Sequence, residues 1–353
     1  MTQRSFRLSI PCSSANLGPG FDVIGLALAV YLVVSIKIDV DSPHDKPFNC
    51  RVTYEGEGSD HVPLQADENL ITRTALYVLR CHGLTTFPAG TNVHINNRIW
   101  LGRGLGSSGA AVVAGVMLGN SVANLGLSKD RMLDYCLMIE RHPDNVTAAM
   151  IGGFVGSYLR ELDPADIERV EIPLSEVLPE PAGGVDTGLL PPRPPLGIGN
   201  YICYNWAREI KAIVIIPNFE VPTASARNVL KKEYSLKDIV FNLQRVALLT
   251  TALTRSPPDA ELIYAAMQDK IHQPYRSHLI PGLTEILKSV TPKTHPGLLG
   301  LCLSGAGPTI LALALGNFEH IANELLRRFE GEGIDCDWRV LEPAYDGAVC
   351  EET

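Results

Sequence analysis

Residues 98–116, RIWLGRGLGSSGAAVVAGV, run from a glycine-rich turn straight into small apolar residues. Gly102, Gly104 and Gly106 punctuate the turn, Ser107 and Ser108 follow it, and the residues from Ser108 to Asn124 read as a buried helix. Glycines let a backbone take conformations that other residues avoid and let a ligand come close. A helix that starts at the serines leaves its first amide donors without partners in its own ladder. The dipole at that end favours negative charge, so a phosphate group fits there. Serine hydroxyls would add bonds to Mg²⁺ or to a phosphoryl oxygen. No lysine stands right after the second glycine, which excludes a P-loop. A plain turn capping a buried helix looks the same, and on this stretch alone the two readings stay balanced.

The neighbouring segments make this an α/β chain. Residues 28–40 are rich in β-branched and aromatic side chains, as strands are, and 91–99 alternate as a strand does. Residues 69–83 have helical apolar spacing with Gly83 as a stop, and a second helix after the loop has Ser128 as its N-cap. Residues 178–200 are too dense in Pro and Gly for a regular element and read as a long surface connection near a domain boundary. Beyond it come a buried strand in 210–221, helices at 236–255 and 260–270, and strand–turn–strand in LLGLCLSGAGPTILALAL. One more strand and an irregular tail follow. The expected division is 1–172, a connection at 173–205, and 206–353.

Composition excludes several classes. The chain has 353 residues, 46% hydrophobic and 20% charged, enough for two domains with sizeable cores. A net charge of −9 argues against nucleic acid as a partner. No apolar stretch is long enough to cross a bilayer, and the N-terminus lacks the apolar core of a signal peptide. The 8 cysteines form no C-x-x-C pair, so scattered reduced thiols are expected.

Four further stretches could carry chemistry. In IPCSSANLGPGFDVIGLAL, Asn16 and Asp22 lie in a loop that interrupts an apolar run; Asp22 could be a turn former or could receive an ammonium or hydroxyl. LSGAGPT, with Gly305, Ala306 and Gly307, is a tight hairpin or a set of amides pressed against a ligand. In IERHPDNVTAAM, Glu140, His142, Asp144 and Asn145 crowd a helix end, as a capped helix or as a metal and hydroxyl site. Arg227 and Arg276 are isolated cations, and a pair of arginines suits a carboxylate.

Taken in order, PCSSANLGPGFDVIG, GRGLGSSGAA and LSGAGPT resemble the three motifs of the GHMP kinases. Within that superfamily ERHPDNVTAAM and QPYRSHLIPG are similar to homoserine kinases of the fungal type, and the likeness runs from about Phe6 to Gly347. The resemblance implies a two-domain fold: an N-terminal domain like the second domain of ribosomal protein S5, with a left-handed βαβ crossover, and a ferredoxin-like C-terminal domain. It implies ATP-dependent phosphorylation of the L-homoserine hydroxyl, for threonine synthesis, by a cytoplasmic enzyme, most simply a homodimer. By position, Gly102, Arg103, Gly104, Leu105, Gly106, Ser107, Ser108 and Gly109 would wrap the ATP phosphates, and Asn69 would lie in the adenine pocket. Ser108 and Glu140 would share Mg²⁺. Asn16, Asp22, His142, Asn145, Arg227, Arg276, Gly305, Ala306 and Gly307 would surround homoserine, with Asp22 on the ammonium and the arginines on the carboxylate. Asn145 is expected to orient the reacting hydroxyl, and Asp144 is the alternative as a base. A kinase of another small alcohol, of the mevalonate type, and a non-catalytic nucleotide-binding relative are the competing readings.

Overall fold

The computed structural model describes residues 3–39, 41, 46–168 and 190–353. Two long antiparallel strands open it, β1 (Gln3–Ala15) and β2 (Ile24–Asp39), paired from Gln3 opposite Asp39 to Ala15 opposite Gly25. Leu8, Ile10, Val34 and Ile36 point inward and are fully buried. The register shifts between Pro11 and Cys12, and such an irregularity tolerates a proline, whose missing N–H cannot serve a ladder. The parallel pair β3 (Cys50–Gly56) and β4 (Thr91–Asn97) is joined through α1 (Leu70–Cys81), and β4 lies beside β2.

The glycine loop leads into α2 (Ser107–Val122), followed by α3 (Lys129–Glu140), α4 (Pro143–Ile151) and β5 (Phe154–Leu159), which returns to pair with β2. α2 is apolar on all sides because it is sandwiched: it packs on α1, α3, α4 and β1. Its small residues permit the close approach of α1; a Cβ at Gly115 would stand 2.4 Å from the Ile71 carbonyl. Ser128 caps α3 as expected, accepting from Arg131 N–H, and Asn69 caps α1, accepting from Ile71 N–H.

The Pro/Gly-rich connection needs correcting at its end. Residues 173–189 lie outside the described residues, and after the short α5 (Pro164–Ile167) the chain is already a strand, β6 (Gly199–Tyr204), paired with β5 in the first sheet. A buried carboxylate brings it there: Asp134 accepts the Gly197 and Ile198 amides at 3.1 and 2.8 Å, while Arg131 donates to the Pro194 and Pro195 carbonyls.

A second sheet follows, with β7 (Lys211–Pro217), the helices α6 (Thr223–Asn228), α7 (Leu236–Ala252), α8 (Ala260–Ala266), α9 (Gln273–Arg276) and α10 (Leu283–Ser289), then β8 (Leu298–Leu303), β9 (Ile310–Ala314), α11 (Phe318–Gly331) and β10 (Cys336–Leu341). Its order β10-β7-β9-β8, antiparallel throughout, is the ferredoxin-like arrangement. β7, β8 and β9 read as nearly unbroken apolar runs because both faces are covered, whereas the edge strand β10 is half exposed. Ala212, Val214 and Ile216 of β7 join the core of the first domain, whereas Ile213 and Ile215 meet α10 and α11 through Leu283, Ile286, Ile321, Leu325 and Phe329. The helix expected at 260–270 stops at Ala266, since the following residues wrap around Asp269. The tail expected to be irregular instead crosses back: β11 (Val349–Glu352) pairs with β1, so 206–353 contributes a strand to the first sheet. All eight cysteines are free thiols; burial pushes Cys12, Cys50 and Cys302 up to about 12.

Candidate active site

Three loops from distant parts of the chain are bonded to one another. Ser13 N–H donates to the Leu105 carbonyl at 3.1 Å, Ser304 Oγ to the Gly104 carbonyl at 2.6 Å, and Gly305 N–H to the Ala15 carbonyl at 3.1 Å. Asn16 ties two of them, its Oδ1 accepting Asp22 N–H at 3.1 Å and its Nδ2 donating to the Gly305 carbonyl at 3.1 Å. Glycine is required at the closest contacts. Gly104 and Gly106 have φ of +78° and +66°, and a Cβ on them would lie 2.3 Å from the Ser304 carbonyl oxygen and 2.1 Å from Ser13 Oγ.

The cleft enclosed by these loops is lined by nearly all of the residues singled out in the sequence. Asn16, Asp22, Gly102, Arg103, Gly104, Gly106, Ser107, Ser108, Gly109, Glu140, His142, Asp144, Asn145, Arg227, Arg276, Gly305 and Ala306 face it. Leu105 does not: its side chain is in the core, and only its carbonyl serves the loop. Gly307 also lies off the cleft, as the turn residue that bonds back to Ser304. Asn69 lines a separate, mostly apolar pocket with Leu32, Tyr54, Val62, Pro63, Leu101 and Ala111, which joins the cleft at Ser107 and Ser108. The Asn69 amide is engaged at both ends, by Ile71 N–H and by the Pro63 carbonyl, so it shapes that pocket's wall.

The helix ends beside the loop carry a chain of buried charge. α3 ends with Arg141 in the left-handed region at φ +60°, which turns Glu140 and His142 toward each other. His142 Nε2 lies 3.2 Å from Glu140 Oε2, and its Nδ1 3.0 Å from Asp144 Oδ1. Burial alone would lower the imidazole pKa, but the two carboxylates hold it well above the usual histidine range. Burial likewise opposes ionisation of Asp144, and the His142 contact with the Asn145 N–H keeps it below the usual carboxylate range all the same. Both contacts fall on Asp144 Oδ1, which ties His142 and the Asn145 N–H to one carboxylate oxygen. Ser108 Oγ donates to Glu140 Oε1 at 2.7 Å, which sets two hard oxygen donors side by side at the start of α2. No group of three or more His, Cys, Asp or Glu side chains is placed to hold a metal ion among the described residues.

In the same cleft the expected ammonium and carboxylate holders bond each other. Arg227 grips Asp22 with both prongs, at 3.0 and 2.8 Å. Arg276 is buried; it donates to the Ala226 and Gly305 carbonyls at 3.2 and 2.8 Å, and burial with the nearby Arg227 lowers its pKa to about 10, still charged at neutral pH.

Two family models match the chain: the GHMP kinases N terminal domain over residues 69–153 and the GHMP kinases C terminal domain over 249–331. The homoserine kinase of Saccharomyces cerevisiae is 63% identical, aligned over 99% of both chains. The chain belongs to the homoserine kinase family of the GHMP kinases. The Candida albicans homoserine kinase is 54% identical over 99% of both chains. Among solved structures, a homoserine kinase from Cytophaga hutchinsonii superposes with a TM-score of 0.75 at 26% identity, covering 98% of this chain and 97% of that one.

Reading the sequence as a homoserine kinase missed several groups that the fold brings to the site. Phe21 is a platform: the Arg227 and Arg276 guanidinium groups lie 5.5 and 5.2 Å from its ring centre, and His272 stacks on it at 5.3 Å. His272 in turn meets Arg276 Nη1 at 3.3 Å and the Gly18 carbonyl at 2.6 Å. Thr223 faces the cleft, and Ser13 lies under the glycine loop. The only sequence signal for Phe21 was an aromatic beside Asp22; the others are single polar residues without a local pattern.

Proposed function

We propose that the chain transfers the γ-phosphoryl group of ATP to the side-chain hydroxyl of L-homoserine, giving O-phospho-L-homoserine and ADP. The observation that carries this reading is the clamp of Asp22, Arg227 and Arg276 in the same cleft as the glycine loop. An α-amino acid bears an ammonium and a carboxylate on one carbon. It can therefore replace the Asp22–Arg227 pair, offering each charge an opposite partner and stranding neither. A sugar has no charge for either, and mevalonate has no cation for Asp22.

The loop of Gly102, Arg103, Gly104, Gly106, Ser107 and Gly109 would receive the triphosphate, with the first amides of α2 as donors and the helix dipole favouring negative charge. The apolar pocket beside Asn69 suits a purine ring. Ser108 and Glu140 fit Mg²⁺, which takes one or two protein oxygens and keeps the rest for water and phosphate. Bound there, the ion would neutralise charge that builds on the phosphoryl oxygens. His142 stands between Glu140 and Asp144 and bonds to both. Asn145 would orient the acceptor hydroxyl, and transfer through a loose transition state asks for positioning more than for a strong base. Asp144, whose Oδ1 meets both the His142 ring and the Asn145 N–H, suits a supporting role for those two residues.

On this reading residues up to about 172 mainly serve the nucleotide and those from 206 supply the carboxylate clamp, in a cytoplasmic homodimer; sedimentation of the purified protein tests the last point. No helix among the described residues is long and apolar enough to cross a membrane. A panel of L-homoserine, mevalonate and galactose with coupled detection of ADP tests the substrate. Turnover that depends on L-homoserine alone supports the proposal, and a preference for mevalonate or galactose overturns it.

A further inference from the structure

We infer that Ser13 is a positioning residue for the transfer step, fixing the Asn145 amide so that its N–H donors, and not its carbonyl oxygen, face the reacting hydroxyl. The inference rests on the kinase reading above and deepens it. Ser13 is fully buried on β1, with its own N–H held by the Leu105 carbonyl. Its single hydroxyl proton is directed at Asn145 Oδ1, 2.8 Å away. Asn145 sits in the first turn of α4 and lines the cleft, its backbone N–H anchored on Asp144 Oδ1 at 2.9 Å. A primary amide has its acceptor on one side and its two donors on the other. With Oδ1 turned back to Ser13, Nδ2 is the end left for the cleft. Gly106 closes over this pair: a Cβ there would lie 2.1 Å from Ser13 Oγ and 2.9 Å from Asn145 Oδ1. The pair is therefore locked directly beneath the loop that starts α2.

The consequence is chemical. A donor aimed at the acceptor oxygen holds its lone pairs in place but cannot take its proton. The new bond runs from the homoserine oxygen to the γ-phosphorus while the bond from that phosphorus to the ADP oxygen breaks. The hydroxyl proton then passes to an oxygen of the transferred phosphoryl group, as a loose transition state permits.

Ser13→Ala, Asn145→Ala, the double variant and Asn145→Asp are assayed beside the wild type for homoserine-dependent ADP formation, with thermal unfolding of each as a folding check. Ser13→Ala is expected to lower kcat about tenfold or more, with both KM values within about twofold, since one positioned donor is no longer held. The double variant is expected to be no slower than Asn145→Ala, because the serine acts only through the amide. Asn145→Asp is expected to be slow at neutral pH and to recover as the pH falls and its carboxyl becomes a donor; if Ser13→Ala fails to fold, Ser13→Cys, whose thiol is a weak donor, is measured in its place with a loss of kcat in the same direction expected. A wild-type kcat in folded Ser13→Ala, independent losses in the double variant, or an Asn145→Asp rate that rises with pH overturns the inference. A wild type without homoserine-dependent turnover overturns the kinase reading itself, and with it this inference.

Discussion

On the proposed reading the groups that would hold the nucleotide phosphates are mostly backbone, whereas those that would hold the acceptor are charged side chains that bond one another. The first set is fixed by conformation: Gly102, Gly104 and Gly106 all have positive φ, and two of them have no room for a Cβ. The second set is fixed by electrostatics: Asp22, Arg227, Arg276 and the buried Asp269–His272 pair hold each other around Phe21. A backbone cradle accepts any nucleoside triphosphate and is intolerant of change in its own chain. A side-chain clamp selects one charge pattern and can be altered one contact at a time.

The largest effect is expected from breaking the cradle. Gly106→Ala needs a left-handed backbone and drives a methyl into Ser13 Oγ, so kcat/KM for ATP should fall at least about a hundredfold, the usual result of misplacing reacting groups by an ångström. Calorimetry should still find homoserine binding. Activity within tenfold of the wild type would mean that the loop is not rigid.

Next comes the clamp. Arg276→Ala removes a buried cation and should raise KM for homoserine roughly ten- to a hundredfold, the range for losing charge-assisted bonds, while KM for ATP moves less than about twofold. Equal losses for both substrates would show that the two sets do not act separately.

The smallest effect on turnover should come from Asp269→Asn, read as stability. Asp269 accepts the Ile271, His272 and Gln273 amides and Asn242 Nδ2, and so starts the short helix that presents Arg276. Burial opposes its ionisation, but His272 and these donors hold its pKa below the usual carboxylate range. A group depressed on folding stabilises above its unfolded pKa, near 4, and loses that contribution as pH falls through its folded value. Asp269→Asn should therefore cost about 2 kcal/mol at pH 7, with the gap to the wild type closing below pH ~4 in urea titrations. A gap constant from pH 7 to pH 3 would assign the loss to packing.

The same contrast explains what could be read from the sequence. The glycine loop, α2 and the cap Ser128 follow from local chemistry: positive φ, small residues, a side chain that accepts from a helix amide. The strand–turn–strand at 298–314 is equally local. β11 pairs with β1 from the far end of the chain, and β6 hides behind a proline-rich run, so neither has a nearby signal. Asp22 and Arg227 are 205 positions apart; likeness to a family named both, yet only the fold reveals that they face each other. Asn16 and Asn69 were named as ligand residues; they line the cleft and its adjoining pocket, and only the fold reveals that their amides also brace the loops there. Phe21, His272 and Ser13 act through neighbours brought together by folding, which a linear pattern cannot display.

The most direct test of the proposed transfer follows phosphorus. Purified protein with ATP, Mg²⁺ and L-homoserine is monitored by ³¹P NMR, with mevalonate and then no acceptor as parallel samples. The account predicts a phosphomonoester resonance of O-phospho-L-homoserine growing in step with ADP in the first sample alone. ADP formed at the same rate without homoserine, or phosphate appearing on mevalonate, would contradict it.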